Sequence, residues 1–227
     1  SIFMTMFGSD VFIPLFNKLT PLENEELKSS IENLVNKTGY KLKNIKVIDG
    51  SKRTTKENAA FTGLGPRKKV LLYDTLLEKH EIPEITAVLA HEIGHYKKKH
   101  TLASTFISLA TTGLMLFLLS IFLEYPIFSK AIGAEEASFH MGILAFGLLY
   151  GPISLALGLI MNIISRKNEF TADRYAGENY AAPPLQDALK KLSVNHLSNL
   201  RPHPAYVFFY YSHPPLLARL KALERVV

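Results

Sequence analysis

Two histidines and a glutamate lie within the stretch H-E-I-G-H at residues 91–95. Residues four positions apart on an α-helix differ by about 40° of rotation, so His91 and His95 leave the same face and can bind one metal ion. Glu92 leaves at a neighbouring angle and can reach a water molecule on that ion without being a ligand. The pattern also occurs by chance in helices with two polar histidines, so a metal site requires a third ligand.

The third ligand is expected to be His, Asp or Glu, because the chain contains no cysteine. A catalytic zinc site uses three protein ligands and keeps one position open. Glu169 is the candidate, and Asp173 follows one helical turn later, where it can accept the second ring N–H of a ligating histidine. The alternative is that both acids lie on a solvated face and pair with the neighbouring cations Arg166, Lys167 or Arg174.

Two long apolar runs, residues 101–123 and 141–165, contain no charged residue. At 1.5 Å per residue, each can cross a hydrocarbon core of about 30 Å. The lysines at 97–99 and the cations at 166–167 flank the outer ends, which predicts a hairpin with both open ends in the cytoplasm. Pro152 predicts a kink in the second run. The alternative is a pair of core helices in a large soluble protein.

The positions of the candidate ligands relative to these runs support a shared site. His95 comes six residues before the first run, and Glu169 comes four residues after the second. If the helices continue across the boundary, both side chains lie within roughly 10 Å of the same membrane edge. The sequence therefore predicts an active site with one Zn²⁺ per chain.

The remaining segments predict a small α+β unit in a chain of 227 residues, of which 48% are hydrophobic and 20% charged. Residues 20–23 resemble a capping box that opens a helix ending near Gly39. Residues 45–49, 58–62 and 69–73 predict strands, the last two joined by a turn at 63–66. Further helices are expected after Pro83, Pro184 and Pro214. The predicted fold class is α+β and mostly helical, with a transmembrane helical hairpin, a zincin-like H-E-x-x-H helix and a small antiparallel β-sheet.

Four segments follow from these patterns. Residues 1–16 are interpreted as the end of a preceding membrane helix, since they lack the order of a signal peptide. Residues 17–100 form the cytoplasmic α+β part with the H-E-x-x-H helix, residues 101–165 the transmembrane hairpin, and residues 166–227 the third-ligand helix with a C-terminal helical part.

The other histidines are less informative. His140 falls in the loop on the opposite side of the predicted membrane, and His100 lies at the membrane edge, where a polar interfacial role is the ordinary interpretation. His203 and His213 both precede proline, and composition does not distinguish between them.

Several motifs, in one order along nearly the whole chain, resemble the type I CAAX prenyl proteases, which are integral-membrane zinc metallopeptidases. They are N-K-L-T-P-L-E at 17–23, V-I-D-G-S-K-R at 47–53, N-A-A-F-T at 58–62, V-L-L-Y-D-T-L at 70–76, H-E-I-G-H at 91–95, E-F-T-A-D at 169–173 and Y-S-H-P-P-L-L-A-R at 211–219. The resemblance implies that this is the C-terminal half of a protein whose earlier membrane helices precede it.

The resemblance also implies roles for individual residues. The zinc ligands would be His91, His95 and Glu169, the general base Glu92, the outer partner of a ligand Asp173, and the oxyanion stabiliser His213. The edge strand that holds the substrate would consist of Asn58, Ala59, Ala60 and Phe61. Family members favour an aromatic residue where this chain has Ala60, which leaves the exact substrate open. Arg219 matches an arginine near the site and is counted with the substrate-binding residues, and a plain salt bridge to Glu224 or another acid is an equal alternative.

The implied activity is removal of the C-terminal tripeptide from prenylated C-a-a-X proteins or peptides. The partners would be that substrate, the lipid bilayer and the earlier helices, with no nucleic acid. The expected location is the endoplasmic reticulum or inner nuclear membrane in a eukaryote, and the inner membrane in a bacterium. Two alternatives remain: a heat-shock type of membrane quality-control zinc protease, and a non-catalytic membrane protein with a structural metal site.

Overall fold

The computed structural model describes residues 13–40, 42, 44–62, 69–136 and 138–226. Residues 1–12 of the expected preceding helix therefore lie outside the described residues, and residues 13–16 are helical. The strands are β1 Leu19–Pro21, β2 Asn44–Ile48, β3 Ala59–Thr62 and β4 Lys69–Tyr73. The helices are α1 Glu25–Thr38, α2 Asp74–Lys79, α3 Ile82–Lys97, α4 His100–Glu124, α5 Pro126–Ala131, α6 Phe139–Asn179, α7 Ala182–Asn195, α8 Pro204–Tyr210 and α9 Leu216–Leu223.

The four strands form one sheet in the order β1-β2-β4-β3. The β3–β4 pair is antiparallel, as expected, and β1, a strand that was not predicted, is antiparallel to β2. However, β2 and β4 are parallel, so the sheet is mixed and not purely antiparallel. After β2, the chain first forms β3, which lies one strand position farther along the sheet. β4 then fills the position between β2 and β3. This connection leaves β3 at the edge of the sheet. The predicted turn at 63–66 lies outside the described residues.

The first helix begins later than predicted. Residues 19–21 belong to β1, so the capping box expected at 20–23 is wrong. The helix cap is Asn24, whose side chain accepts a 2.9 Å hydrogen bond from the Leu27 backbone N–H, which satisfies a donor that has no partner within the helix. The end of α1 is confirmed, because Gly39 adopts a left-handed conformation with φ 61°.

The core of the water-soluble part lies between the sheet and helices α1, α3, α7 and α9. Its largest fully buried side chains include Leu27, Leu72, Ile85, Leu89 and Leu185. One face of helix α3 packs into this core, and another face carries the H-E-x-x-H histidines. The burial of the apolar side chains of α3 therefore fixes the position of the site.

The two apolar runs form long helices that the rest of the described chain does not cover. In the most apolar stretch of 18 residues, 0% of the residues of α4 and 6% of those of α6 are buried. Both helices are long enough to cross a membrane. A core helix of a soluble protein would be buried, so the exposure of α4 and α6 in the described chain favours membrane-spanning helices over that alternative. The fold class is thus confirmed; the sidedness of the hairpin and the kink at Pro152 stay predictions.

The helices cross the predicted membrane boundary in two different ways. Helix α6 is continuous over 41 residues and carries both Glu169 and Asp173 beyond its apolar run. Helix α3, in contrast, ends at Lys97, and α4 begins at His100. Lys99 between them has φ 58°, a left-handed conformation that a non-glycine residue seldom adopts.

Candidate metal centre

The three predicted ligands converge from two helices. His91 and His95 leave the same face of α3, and their Nε2 atoms lie 3.0 Å apart. Glu169 approaches from α6 with its Oε2 atom 3.6 Å from His91 Nε2 and its Oε1 atom 3.3 Å from His95 Nε2. His91 and Glu169 are buried, with 7% and 6% of their surface exposed, and the site lies where the two helices pack.

The spacing of these donor atoms fits a small divalent ion. Tetrahedral ligands at about 2.0–2.1 Å from zinc are about 3.3 Å from one another. The two Nε2 atoms lie 3.0 Å apart, each lies 3.3 or 3.6 Å from one of the two Glu169 oxygens, and one donor atom from each residue lies within 4.8 Å of the others. In the part of the chain that the structure describes, His91, His95 and Glu169 are the one group of three potential ligands whose donor atoms converge in this way.

Gly94 explains how the two helices come so close. A Cβ atom at this position would lie 3.1 Å from the Ala172 Cα and 3.1 Å from the Tyr175 Cβ on α6. Nearly every real Cβ contact is longer, so a larger residue would push α3 and α6 apart by a few tenths of an ångström. Gly94, the second variable position of the motif, therefore sets the distance between the histidine helix and the glutamate helix.

Asp173 supports the other side of the His91 ring. Its Oδ1 atom lies 2.8 Å from His91 Nδ1, and its carboxylate accepts two hydrogen bonds from Arg219, at 2.8 Å from Nε and 2.6 Å from Nη2. Burial acts to raise the pKa of Asp173, but Arg219 and His91 hold it at about 2. A carboxylate in this position fixes the ring orientation and the tautomer of a metal-binding histidine.

In the described chain, Arg219 pairs with Glu169 and Asp173 of α6 and not with Glu224. Besides its bidentate pair with Asp173, its Nη1 atom lies 3.5 Å from Glu169 Oε2. The alternative in which these acids pair with cations on a solvated face is wrong: Arg166 instead donates to the backbone carbonyls of Val207 and Tyr211.

Glu92 is half-buried beside the converged ligands. Burial raises the pKa of its carboxyl group, against the opposing influence of the His91 and His95 rings. A carboxylate whose pKa lies above its ordinary value is better suited to accept a proton near neutral pH.

The structure separates the two histidines that precede proline. His213 is exposed, and its Nε2 atom lies 3.4 Å from Glu169 Oε1, at the open side of the site. Its Nδ1 atom is within 3.0 Å of the Ser212 hydroxyl. His203 instead caps α8, where its Nδ1 accepts a 3.2 Å hydrogen bond from the Ala205 N–H.

His100, which the sequence analysis placed at the membrane interface, also reaches the site. The Nδ1 atom of His100 lies 3.0 Å from the Nδ1 atom of His95, and the two rings meet edge to face. Residues five apart do not face each other on a continuous helix, so this contact could not be predicted without the break at Lys99.

The predicted substrate strand is at the sheet edge, next to the helix that carries the histidines. Asn58 precedes β3, and its carbonyl oxygen accepts a hydrogen bond from the Tyr73 N–H. Ala59, Ala60 and Phe61 pair with Leu72, Leu71 and Val70 of β4. The opposite edge of β3 is unpaired in the described sheet; substrate binding there stays a prediction.

Comparison with known proteins gives one consistent result. Residues 21–227 match the model of peptidase family M48. The chain is 40% identical to CAAX prenyl protease 1 from Saccharomyces cerevisiae over 95% of its own length and 51% of that protein, and 30% identical to the Homo sapiens CAAX prenyl protease 1 homolog over 99% and 55%. The crystal structure of S. mikatae Ste24p superposes with a TM-score of 0.88 at 38% identity, over 98% of this chain and 55% of that one. The chain thus spans about half the length of the curated relatives that it matches.

Proposed function

Since this chain belongs to peptidase family M48, we propose that it carries the active site of a zinc metalloendopeptidase that removes the C-terminal tripeptide of prenylated C-a-a-X substrates. One observation carries the proposal: two imidazoles from one helix and one carboxylate from another converge with their donor atoms within 4.8 Å of one another, the ligand types and number of a catalytic zinc site. Glu92, whose pKa is raised, lies within the same H-E-x-x-H motif.

The proposed ligands are His91, His95 and Glu169. A zinc ion bound there supplies Lewis acidity, which polarises a substrate carbonyl and makes water a better nucleophile at neutral pH. Glu92 accepts the proton of the attacking water and then delivers it to the leaving amine. Asp173, held by Arg219, keeps the His91 ring in the orientation that leaves Nε2 free for the ion.

His213 is proposed to stabilise the charge that develops on the substrate. It stands at the open side of the site, 3.4 Å from Glu169, where its ring N–H can donate to an oxyanion. An extended peptide can add to the free edge of β3 through backbone hydrogen bonds, which tolerate varied side chains. The residues of this edge are Asn58, Ala59, Ala60 and Phe61.

The prenyl group is proposed on the names of the relatives and on the place of the site. Two curated relatives are named CAAX prenyl protease 1 or its homolog. Glu169 follows the exposed apolar run of α6 by four residues, so an isoprenyl chain can remain in an apolar environment while its peptide reaches the ligands. We place the site near the cytoplasmic face of a multi-pass membrane protein, in the endoplasmic reticulum for a eukaryotic source.

The two alternatives make different demands on the same residues. A quality-control protease would cleave misfolded membrane proteins and would not require a prenyl group. A structural zinc site would require a fourth protein ligand, and the convergent group in the described chain has three members.

The decisive experiment compares Glu92→Gln with the unmodified intact protein. The variant is expected to bind one zinc ion and to lose cleavage of a prenylated C-a-a-X peptide by about 10²- to 10⁴-fold, because it lacks the proton acceptor. Glu178→Gln, an exposed glutamate on α6, is the matched control and should retain activity. Unchanged cleavage by Glu92→Gln would remove Glu92 from the mechanism, and equal cleavage of the peptide without its prenyl group would favour the quality-control alternative.

A further inference from the structure

The two histidine ligands have different partners on their outer nitrogens. A histidine that binds a metal through one ring nitrogen is oriented by the hydrogen bond of the other. For His91 that partner is Asp173, at 2.8 Å from Nδ1. For His95 it is another imidazole: His95 Nε2 points toward His91 and Glu169, while His95 Nδ1 lies 3.0 Å from His100 Nδ1.

The backbone is shaped so that this contact can form. On an uninterrupted helix, residues five apart differ by about 140° in direction and their side chains diverge. Here the left-handed conformation of Lys99, φ 58°, separates α3 from α4 and turns the first residue of α4 back toward the last turn of α3. The His95 and His100 rings then meet with centroids 5.1 Å apart and planes at 76°. A strained backbone residue beside a candidate site is consistent with a positioning role.

We propose that His100 is a positioning residue for the metal ligand His95. The unprotonated Nδ1 of His100 accepts a hydrogen bond from the Nδ1–H of His95, which fixes the tautomer in which His95 Nε2 is free to bind the ion. The proposal rests on the proposed metal site and extends it by one residue. It also differs from the interfacial role expected from the sequence, in which the His100 ring would serve only the membrane boundary.

The test uses three variants that separate the hydrogen bond from the ring contact. His100→Asn keeps an acceptor oxygen close to the position of Nδ1, and His100→Gln moves that acceptor outward by one methylene. His100→Phe keeps the ring but has no acceptor. His140→Phe is the control, since His140 is an exposed histidine that lies in the first turn of α6 and not in the loop expected from the sequence, and its Nε2 is hydrogen-bonded to the Ser138 hydroxyl at 3.2 Å.

Affinity for Zn²⁺ is measured on the intact protein by competition with a chelator, without substrate. His100→Phe and His100→Gln are expected to weaken Zn²⁺ binding by about 10- to 100-fold, the usual effect of removing an outer partner of a ligand. His100→Asn and His140→Phe should stay close to the unmodified protein, and the absorption spectrum of the Co²⁺-loaded protein should change only in the two weakened variants. Melting of the metal-free proteins shows that each variant is folded.

Two outcomes would overturn the proposal. Unchanged Zn²⁺ affinity in both His100→Gln and His100→Phe would show that His95 needs no acceptor. Loss in His100→Asn with retention in His100→Phe would assign the effect to ring packing. Neither outcome depends on peptide cleavage, so a failure of the proposed protease activity, tested with Glu92→Gln, is distinguishable.

Discussion

Helix α3 carries a buried polar cluster at each end, and the two clusters differ in where their cations lie. At the start of the helix, the ring of His80 lies between Glu57, at 3.0 Å, and Glu84, at 3.2 Å. Lys79 pairs with Glu57 and Lys191 with Glu84, at 2.7 and 2.8 Å. We call these five residues the ionic cluster; the metal cluster consists of His91, His95, Glu169, Asp173 and Arg219.

Both clusters contain histidine between carboxylates. Only in the metal cluster do the atoms that could bind a metal ion face a common point. In the ionic cluster each carboxylate already has a lysine, and Asn195 donates a further 2.8 Å hydrogen bond to Glu57. In the metal cluster the bidentate pair of Arg219 is with Asp173, behind the His91 ring, while Nε2 of each histidine and the Glu169 carboxylate converge. The cations therefore distinguish a structural network from a site that can accept an ion.

The largest loss of stability is expected when Arg219, the cation of the metal cluster, is removed. Arg219→Met leaves Asp173 and Glu169, which are 1% and 6% exposed, without their compensating charge. Breaking a buried ion pair by removing one partner costs about 3–5 kcal/mol. We expect a loss of that size in the free energy of unfolding, measured by chemical denaturation of the metal-free protein in detergent. A loss below about 1 kcal/mol would mean that solvent reaches Asp173 and Glu169 and that the two acids are not effectively buried.

A smaller effect is expected from the equivalent change in the ionic cluster. Glu57→Gln keeps the shape of the side chain but removes the charge that Lys79, His80 and Asn195 contact. Hydrogen bonds to charged groups contribute about 1.5–3 kcal/mol, so the variant should lose about that much stability. Its Zn²⁺ affinity, measured by chelator competition, should not change. A weakened affinity would show that the two clusters are coupled along α3.

The smallest expected effect is on how the stability of the fold depends on pH. Burial acts to raise the pKa of Glu57, but its hydrogen bonds with Lys79, His80 and Asn195 hold it below its ordinary value of 4.5. Because the folded pKa is lowered, this carboxylate stabilises the fold above the unfolded pKa, and the contribution is lost as pH falls through the folded pKa. Denaturation at pH 6.5 and pH 4 should therefore show a larger loss for the unmodified protein than for Glu57→Gln. Equal losses would assign the acid sensitivity to other groups.

The metal cluster was largely predictable because its residues follow regular spacing. The H-E-x-x-H motif sets two histidines on one helical face, and the uncharged runs indicate where Glu169 lies relative to them. Asp173 follows by one turn. The role of Arg219 was open because its partner lies 46 residues away in sequence, and no local pattern encodes such a distance.

Other features depend on interactions that periodicity does not record. The ionic cluster is assembled from residues near β3, α2, α3 and α7, and the His95–His100 contact depends on one left-handed residue, Lys99. The parallel pairing of β2 with β4 depends on the path of the chain between them. The start of α1 was misplaced because Asn24 is the better cap, and the preceding Thr20 belongs to a strand.

The continuity of α6 has a mechanical consequence. The helix has 41 residues, and its apolar run at 141–165 is about 37 Å long at 1.5 Å per residue. That length exceeds a hydrocarbon core of about 30 Å, a mismatch that helices accommodate by tilting, kinking or thickening the bilayer. A change in the tilt of a continuous helix displaces its far end, where Glu169 lies, and Pro152 is the position in this run where a kink is predicted to absorb part of that change. The bend at Lys99 separates α3 from the tilt of α4. We therefore expect bilayer thickness to displace the carboxylate ligand relative to the two imidazoles, so that the lipid composition itself adjusts the geometry of the ion.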